Sequence, residues 1–309
     1  MTDVLITKNK LLFISAVAVC CIISGLFVKN AKQTTTKEVF QEKSDVQKDD
    51  FVVHDVGRFF DEFLFQKGIA ENKKQIQIQD KIRGAIMPHH LIPSFIIASI
   101  FKSISEQNIE TIILLSPNHY DIGDTPVVTS KISWETPYGK IEPNNKIIQQ
   151  LLQKDYISVD EAVLDNEHGI AGLLPFVAYY DKSTKIVPLA LRQNLTKEQL
   201  QDLSSEISNI IDDKTIVVAS VDFSHYLTSE QAQKNDEKTL QVLQQRNYDE
   251  LSQMNNDYLD SPESIAMLLY IMDNINIKGE NVMYHTNSGE LLDNPIDGVT
   301  SYFGVLFTQ

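Results

Sequence analysis

The sequence predicts an α/β fold: a three-layer α/β/α arrangement around a mostly parallel sheet, preceded by one N-terminal transmembrane helix. Three observations carry this. Short apolar runs stop abruptly in polar residues, helical segments separate those runs, and an uncharged stretch of eighteen residues stands near the N-terminus. Across 309 residues, 42% hydrophobic and 22% charged composition is close to the globular average, so the chain buries a core and is not disordered as a whole. The net charge of −15 argues against a nucleic-acid binder, which needs clustered Lys and Arg to follow phosphates.

From the N-terminus, a short tail (1–10) leads into Leu11 to Val28, which carries no charge. At ~1.5 Å per residue this run spans ~27 Å, close to the ~30 Å of a bilayer core. It lacks the small-residue cleavage site of a signal segment, so residues 11–28 are expected to be an uncleaved single-pass membrane anchor rather than a cleaved leader. The expected location is a membrane, with the domain on the extracytoplasmic side. Residues 29–50 are polar and read as a tether. Seven lysines against six acidic residues before residue 51 leave residues 51–309 at −16. The only cysteines, Cys20 and Cys21, lie in the apolar run, which excludes a disulfide scaffold or a thiol nucleophile in the body.

Residues 51–309 read as one domain. Phe51 to Gln66 has apolar residues at helical spacing and is expected to pack as a leading helix. Four runs read as parallel strands buried on both faces: Gly84 to Met87, Thr111 to Ser116, Lys185 to Ala190 and Thr215 to Ser220. Helical segments at Ser94 to Ser105, Asn145 to Lys154, Lys197 to Ile211 and Gln231 to Arg246 make them βαβ units. A strand is expected at Asn281 to Tyr284, with His285 in the polar loop after it, and His54 has no partner in view.

In open α/β sheets ligands bind beyond the carboxyl ends of the strands. His89, His119 and His225 each follow a strand run within a few residues, so the fold brings them to one cleft despite their separation in sequence. Imidazole is a common metal ligand and a common general base, and three at equivalent strand ends point to a site. His168 follows Asp165-Asn166-Glu167 ahead of an apolar run, which suits a helix N-terminus with Glu167 at its positive end or a supporting role beside the site.

Six strings in order resemble the Memo family, whose prokaryotic members are called AmmeMemoRadiSam system protein B. They are Pro88-His89, Pro117-Asn118-His119, Trp134-Glu135-Thr136-Pro137-Tyr138-Gly139, Glu167-His168 with Pro175-Phe176, Asp222-Phe223-Ser224-His225-Tyr226, and Asn287-Ser288-Gly289. The resemblance covers roughly residues 80–309 and implies the fold of class III extradiol (LigB-type) dioxygenases, with non-haem iron at strand ends. Carried over, the site comprises His89, His119 and His225 with Asp222. Asp260 stands where the family usually has a cysteine, and the dioxygenases use a carboxylate as third ligand. The resemblance thus implies His89, His119 and Asp260 as metal ligands, a set suited to Fe(II), with Zn(II) or Cu as alternatives. His225 then acts as acid and base, oriented by Asp222, with Glu167, His168, Asn118 and Asn287 behind the ligands. Asp260 also reads as an N-cap before Ser261-Pro262-Glu263. Two departures stand out: His90-Leu91-Ile92 replaces Ala-Gly-Tyr, and Gly169-Ile170-Ala171 lacks the family's second glutamate.

The function expected is a membrane-anchored, Memo-like protein with a metal-binding cleft, a redox or dioxygenase-like enzyme of unknown substrate. The alternatives are a zinc-dependent hydrolase and a non-catalytic module binding a metal, peptide or protein. A radical-SAM partner follows from family association alone.

Overall fold

In a computed structural model, which describes residues 53–72, 80–294 and 298–309, the apolar runs become strands of one eight-stranded sheet. The chain begins with β1 (His54–Asp55), a 3-10 turn (Gly57–Phe59) and α1 (Glu62–Glu71). It continues through β2 (Ile82–Met87), α2 (Ser94–Ser105), β3 (Thr111–Pro117), β4 (Val127–Thr129), β5 (Trp134–Thr136), β6 (Gly139–Ile141), α3 (Asn145–Leu151) and β7 (Ile157–Val159). Next come α4 (Glu161–Asp165), α5 (His168–Ala171), α6 (Leu174–Asp181), β8 (Lys185–Leu191), α7 (Lys197–Ile210), β9 (Thr215–Ser220) and α8 (Ser229–Gln244). The last elements are α9 (Tyr248–Leu251), α10 (Pro262–Asn274), β10 (Glu280–Asn287), α11 (Ser288–Leu291) and β11 (Ser301–Thr308). Phe51–Gln309 forms one compact unit.

The strand order is β10-β11-β2-β9-β3-β8-β4-β7. The centre, β2-β9-β3-β8, is parallel, with Leu114 between Val218 and Pro188. At the flanks β4 with β7 is parallel as well, while β10 with β11, β11 with β2, and β4 with β8 run antiparallel, so the sheet is mixed. The strands β10 and β11 are consecutive in the sequence, with α11 between them among the described residues, and they pair antiparallel.

Side chains alternate along each strand, and the sheet therefore feeds two cores. On one face Ile113 and Leu115 of β3 and Val187 and Leu189 of β8 pack with Leu200, Leu203 and Ile207 of α7 and with α10. On the other face Ile112, Leu114 and Ile186 pack with Ile97, Ile100 and Ile104 of α2 and with Phe176 of α6. Each fully buried aliphatic side chain contributes about 1.5–3 kcal/mol. Both faces being covered explains why these runs read as continuously apolar rather than alternating.

Three local expectations change. The leading helix starts at Glu62 rather than near Phe51, because the Asp61 carboxylate accepts from Leu64 N–H at 2.9 Å and caps it there. His285 lies within β10, not in a loop after it. The expected anchor at 11–28 falls outside the described residues, and no helix among the described residues is long and apolar enough to cross a membrane. The expectation of a single-pass membrane protein with an extracytoplasmic domain is corrected accordingly.

His54 is buried in a polar cluster rather than unpartnered. Its Nε2 lies 3.0 Å from Glu161 Oε2 and 3.1 Å from Ser130 Oγ, and its Nδ1 lies 3.2 Å from Asp165 Oδ1. Its ring packs on Trp134 at 4.5 Å, and Arg58 pairs with Asp165. Burial alone depresses the imidazole pKa, but the hydrogen bonds and charges of Asp165 and Glu161 outweigh it and raise the value. Burial likewise opposes the two carboxylates, and His54 still draws both below their usual range. Since the folded imidazole holds its proton above the unfolded value of about 6.5, this stabilisation is complete below about pH 6.5 and fades as pH rises through the folded value. On the acid side it is lost as pH falls through the depressed values of Glu161 and Asp165. Replacing His54 with Gln is therefore expected to cost about 3 kcal/mol near pH 6. Thermal melts of both proteins should show the gap in Tm narrowing towards pH 9; a gap independent of pH would mean His54 is held neutral.

Candidate metal centre

Four strand-end or loop segments converge beyond the carboxyl edge of the parallel strands. His89 follows β2, His119 follows β3, and Asp222 and His225 follow β9. Asp260 arrives on the segment before α10. There Ser261, not Asp260, caps the helix, its Oγ accepting from Ser264 N–H, so the Asp260 side chain is free for the cleft. Two backbone links join the loops: Asp260 N–H donates to Asp222 O at 3.1 Å, and Asp222 N–H donates to Asp260 Oδ2 at 3.3 Å.

The hydrogen bonds assign the tautomers of both histidines. Ser220 Oγ spends its proton on Gly169 O at 2.5 Å, so it accepts from His89 Nδ1 at 3.1 Å. His89 Nε2 is then a bare lone pair, 3.3 Å from Asp260 Oδ2 and 3.5 Å from Asp222 Oδ2. Glu167 Oε1 accepts from His119 Nδ1 at 2.6 Å, which leaves His119 Nε2 as a second lone pair, 3.9 Å from Asp260 Oδ2. Two imidazole lone pairs and a carboxylate oxygen thus face one another, and Asp260 Oδ1 is buried with no hydrogen-bond partner. Acceptors crowded in this way repel unless protons or a cation lie between them. The expected ligands His89, His119 and Asp260 fit a divalent metal on that ground.

The cluster is larger than the expected set. His168 stacks 3.8 Å from the His119 ring and 5.1 Å from His89, and His89, His119 and His168 offer ligand atoms within 4.8 Å of one another. His89, Asp222 and Asp260 do the same. Asp222 therefore belongs with the carboxylates. Its Oδ1 accepts from His89 N–H at 3.2 Å, and it makes no hydrogen bond to His225, whose buried Nδ1 has no partner. The expected orientation of His225 by Asp222 is not made.

Glu167 combines its two expected roles. Buried at 1% exposure, it caps α5 through Gly169 N–H and binds both N–H and Nδ1 of His119. Asn118 and Asn287 serve the backbone instead: Asn118 closes its own loop with Ile122, and Asn287 caps α11. His90 was not singled out by sequence reasoning; it lines the same cavity, with Nδ1 2.7 Å from the Tyr302 hydroxyl. Its position next to His89 was the only available signal.

Burial governs the electrostatics. It pushes His89 well below the usual imidazole range, helped by His119 and His168, and pushes His168 and His225 down to about 4, helped by His119. These imidazoles are neutral at pH 7 and available as ligands or proton acceptors. Burial raises both Asp222 and Asp260, and the charge of Asp222 raises Asp260 further. A cation entering the cluster displaces those protons. Above it opens a cavity of about 780 Å³, with Phe59, Leu64, Leu91, Ile92 and Leu292 on its apolar side.

Gly169 makes the packing possible. A Cβ there would lie 2.3 Å from Ser116 Oγ, 3.1 Å from Glu167 Oε1 and 3.4 Å from His119 Cε1. The Gly169→Ala substitution is expected to destabilise the protein by about 1–3 kcal/mol and to disturb the Glu167–His119 bond. Denaturant melts and metal titration of the variant test this, and an unchanged midpoint with unchanged affinity would show that the contact relaxes freely.

Comparison with known proteins identifies the family. The family model "Memo-like protein" matches residues 61–306. A MEMO1 family protein of Saccharolobus islandicus is 31% identical over 217 residues, covering 68% of this chain and 76% of its own. One from Aquifex aeolicus is 26% identical over 234 residues, covering 74% and 86%. One from Methanopyrus kandleri is 30% identical over 167 residues, and the match spans 52% of this chain and 59% of that relative. Among solved structures, an uncharacterized protein from Escherichia coli shares the fold with a TM-score of 0.50 at 13% identity, covering 72% of this chain and 99% of that one. With the family model spanning most of its length, the chain belongs to the Memo-like protein family.

Proposed function

We propose that this Memo-like protein is a metal-dependent oxidoreductase that holds one divalent ion, of the Fe(II) type, on His89, His119 and Asp260. The observation that carries the reading is the convergence of two bare Nε2 lone pairs on Asp260, whose Oδ1 has no partner. Two imidazoles and one carboxylate leave positions open for substrate, and bound there Fe(II) would supply redox chemistry with dioxygen. The chain's own residues do the rest. Glu167 and Ser220 fix the rings of His119 and His89 so that their Nε2 atoms face the ligand position. The apolar cavity side seats the substrate body and keeps water away. His225, neutral and with its Nδ1 unpartnered, accepts a proton from the substrate and returns it.

A second reading rests on His168. Its place beside His89 and His119 makes a three-imidazole set that also suits Zn(II), which favours metal-assisted hydrolysis.

Full-length protein loaded anaerobically with Fe(II) is expected to retain about one ion per chain by elemental analysis. His89→Ala, His119→Ala and Asp260→Ala should abolish retention, and Glu167→Gln should weaken affinity about 10–100-fold. A folded wild type that retains no metal would sink the proposal. Oxygen uptake on a panel of oxidisable phenols should fall about 10²–10⁴-fold in His225→Gln at unchanged iron content. Retention of zinc but not iron, lost in His168→Ala and accompanied by chelator-sensitive ester hydrolysis, would transfer the assignment to the second reading.

A further inference from the structure

A second buried polar cluster stands apart from the metal ligands. Asp236 of α8 is 1% exposed, and its carboxylate receives three side-chain hydrogen bonds. Ser224 and Ser301 donate their hydroxyls to Oδ1, each at 2.7 Å, and His285 Nε2 lies 2.7 Å from Oδ2. The His285 ring lies parallel to Phe303 at 4.2 Å, so its orientation is fixed from two directions. A serine, a histidine and an aspartate together suggest a nucleophile, but the order of bonds excludes it. Both serines donate to the carboxylate rather than to the imidazole, so His285 is not placed to activate either hydroxyl.

What the cluster holds is the loop that carries His225. Ser224 precedes His225 directly. Phe223 N–H donates to Ser301 O at 2.9 Å and Ser301 N–H donates to Ser224 O at 3.0 Å, so the loop and the start of β11 are tied by main chain as well as through Asp236. Beyond His225, Tyr226 has φ of +58°, a left-handed backbone uncommon for a bulky side chain, and it is 80% exposed. Leu227 O then accepts from Gly298 N–H and Val299 N–H. The turn is thus anchored on both sides, at Ser224 and at Leu227, and His225 between them donates its own N–H to Asn256 O at 2.9 Å. No partner on its Nδ1 holds the ring, so its placement depends on the backbone around it.

We propose that Asp236 is a positioning residue: by clamping Ser224 and Ser301 it sets the turn that presents His225 to the cavity. The inference rests on the reading of His225 as the proton-accepting group. It assigns to Asp236 the role sequence reasoning gave to Asp222.

The test follows His225 directly, and its two primary readouts need neither metal nor turnover. In full-length protein carrying ¹³Cε1-labelled histidine, with the His225 signal identified through His225→Gln, Asp236→Asn and Ser224→Ala are expected to shift or broaden that signal. They should also change carbethoxylation of His225 by diethyl pyrocarbonate at least fivefold, read by peptide mass spectrometry. The His54 signal should stay in place, and Fe(II) affinity should stay within threefold, because His89, His119 and Asp260 lie outside the clamp. Ser224→Thr, which keeps the hydroxyl, should restore the wild-type signal. An unchanged His225 in both variants would overturn the proposal, as would parallel changes at His225, His54 and the metal site, which mark general loosening. If wild-type protein binds no metal, the proposed function fails while the clamp is still judged on these readouts.

Discussion

The structure turns on a desolvated knot of acceptors. His89 and His119 have each committed their Nδ1 proton to a buried oxygen, and the Nε2 lone pairs left over face the carboxylates of Asp222 and Asp260. Water has little access to relieve the repulsion, since the side chains of His89, Asp222 and Asp260 are 3%, 4% and 7% exposed, which leaves that to protons on the raised carboxyls or to a cation. Such a cluster persists only if the surrounding fold determines it from several sides. The parallel centre of the sheet does this, because β2, β3 and β9 end at one edge and deliver three of the four segments. The fourth, before α10, is tied in by the reciprocal backbone bonds of Asp222 and Asp260.

That constraint explains which polar residues are buried and why. Glu167 is a helix cap and a histidine orienter at once because α5 begins where β3 ends, so one carboxylate reaches both Gly169 N–H and His119. Ser220, the last residue of β9, bridges His89 to Gly169, tying the β2 and α5 segments through a single hydroxyl. A side chain at Gly169 would enter this space, which is why a residue with no Cβ stands there.

Much of this was legible in the sequence, and the limits have physical causes. Continuous apolar runs identify strands covered on both faces, and a histidine just past such a run is placed at a sheet edge by topology alone. Ser94–Ser105 matches its expected helix because its apolar spacing is unambiguous. Direction is harder: β11 has the same apolar character as the central strands, and only its pairing with β10 makes it antiparallel. Residue roles are harder still. Asp222 and His225 are three residues apart and look like a pair, yet on an extended segment leaving β9 their side chains are free to part. Asp222 turns to His89, while His225 is left without a partner on Nδ1. His54 and Asp236 depend on partners 107, 111 and 49 residues away, a separation that local pattern does not encode.

The distribution of charge across the site constrains its chemistry. No lysine or arginine lines the 780 Å³ cavity among the described residues, and the imidazoles of His89, His168 and His225 are neutral at pH 7. Burial raises the carboxyls of Asp222 and Asp260 and so favours their protonated forms while no cation is present. Entry of a divalent metal there would therefore be coupled to proton release from those carboxyls. Under the proposed function, a substrate would be held by the apolar side and by the metal's open positions rather than by an ion pair with a lysine or arginine of the cavity. Under the proposed function, that division would put orientation at the metal and proton handling on His225, the cavity imidazole whose buried Nδ1 has no hydrogen-bond partner.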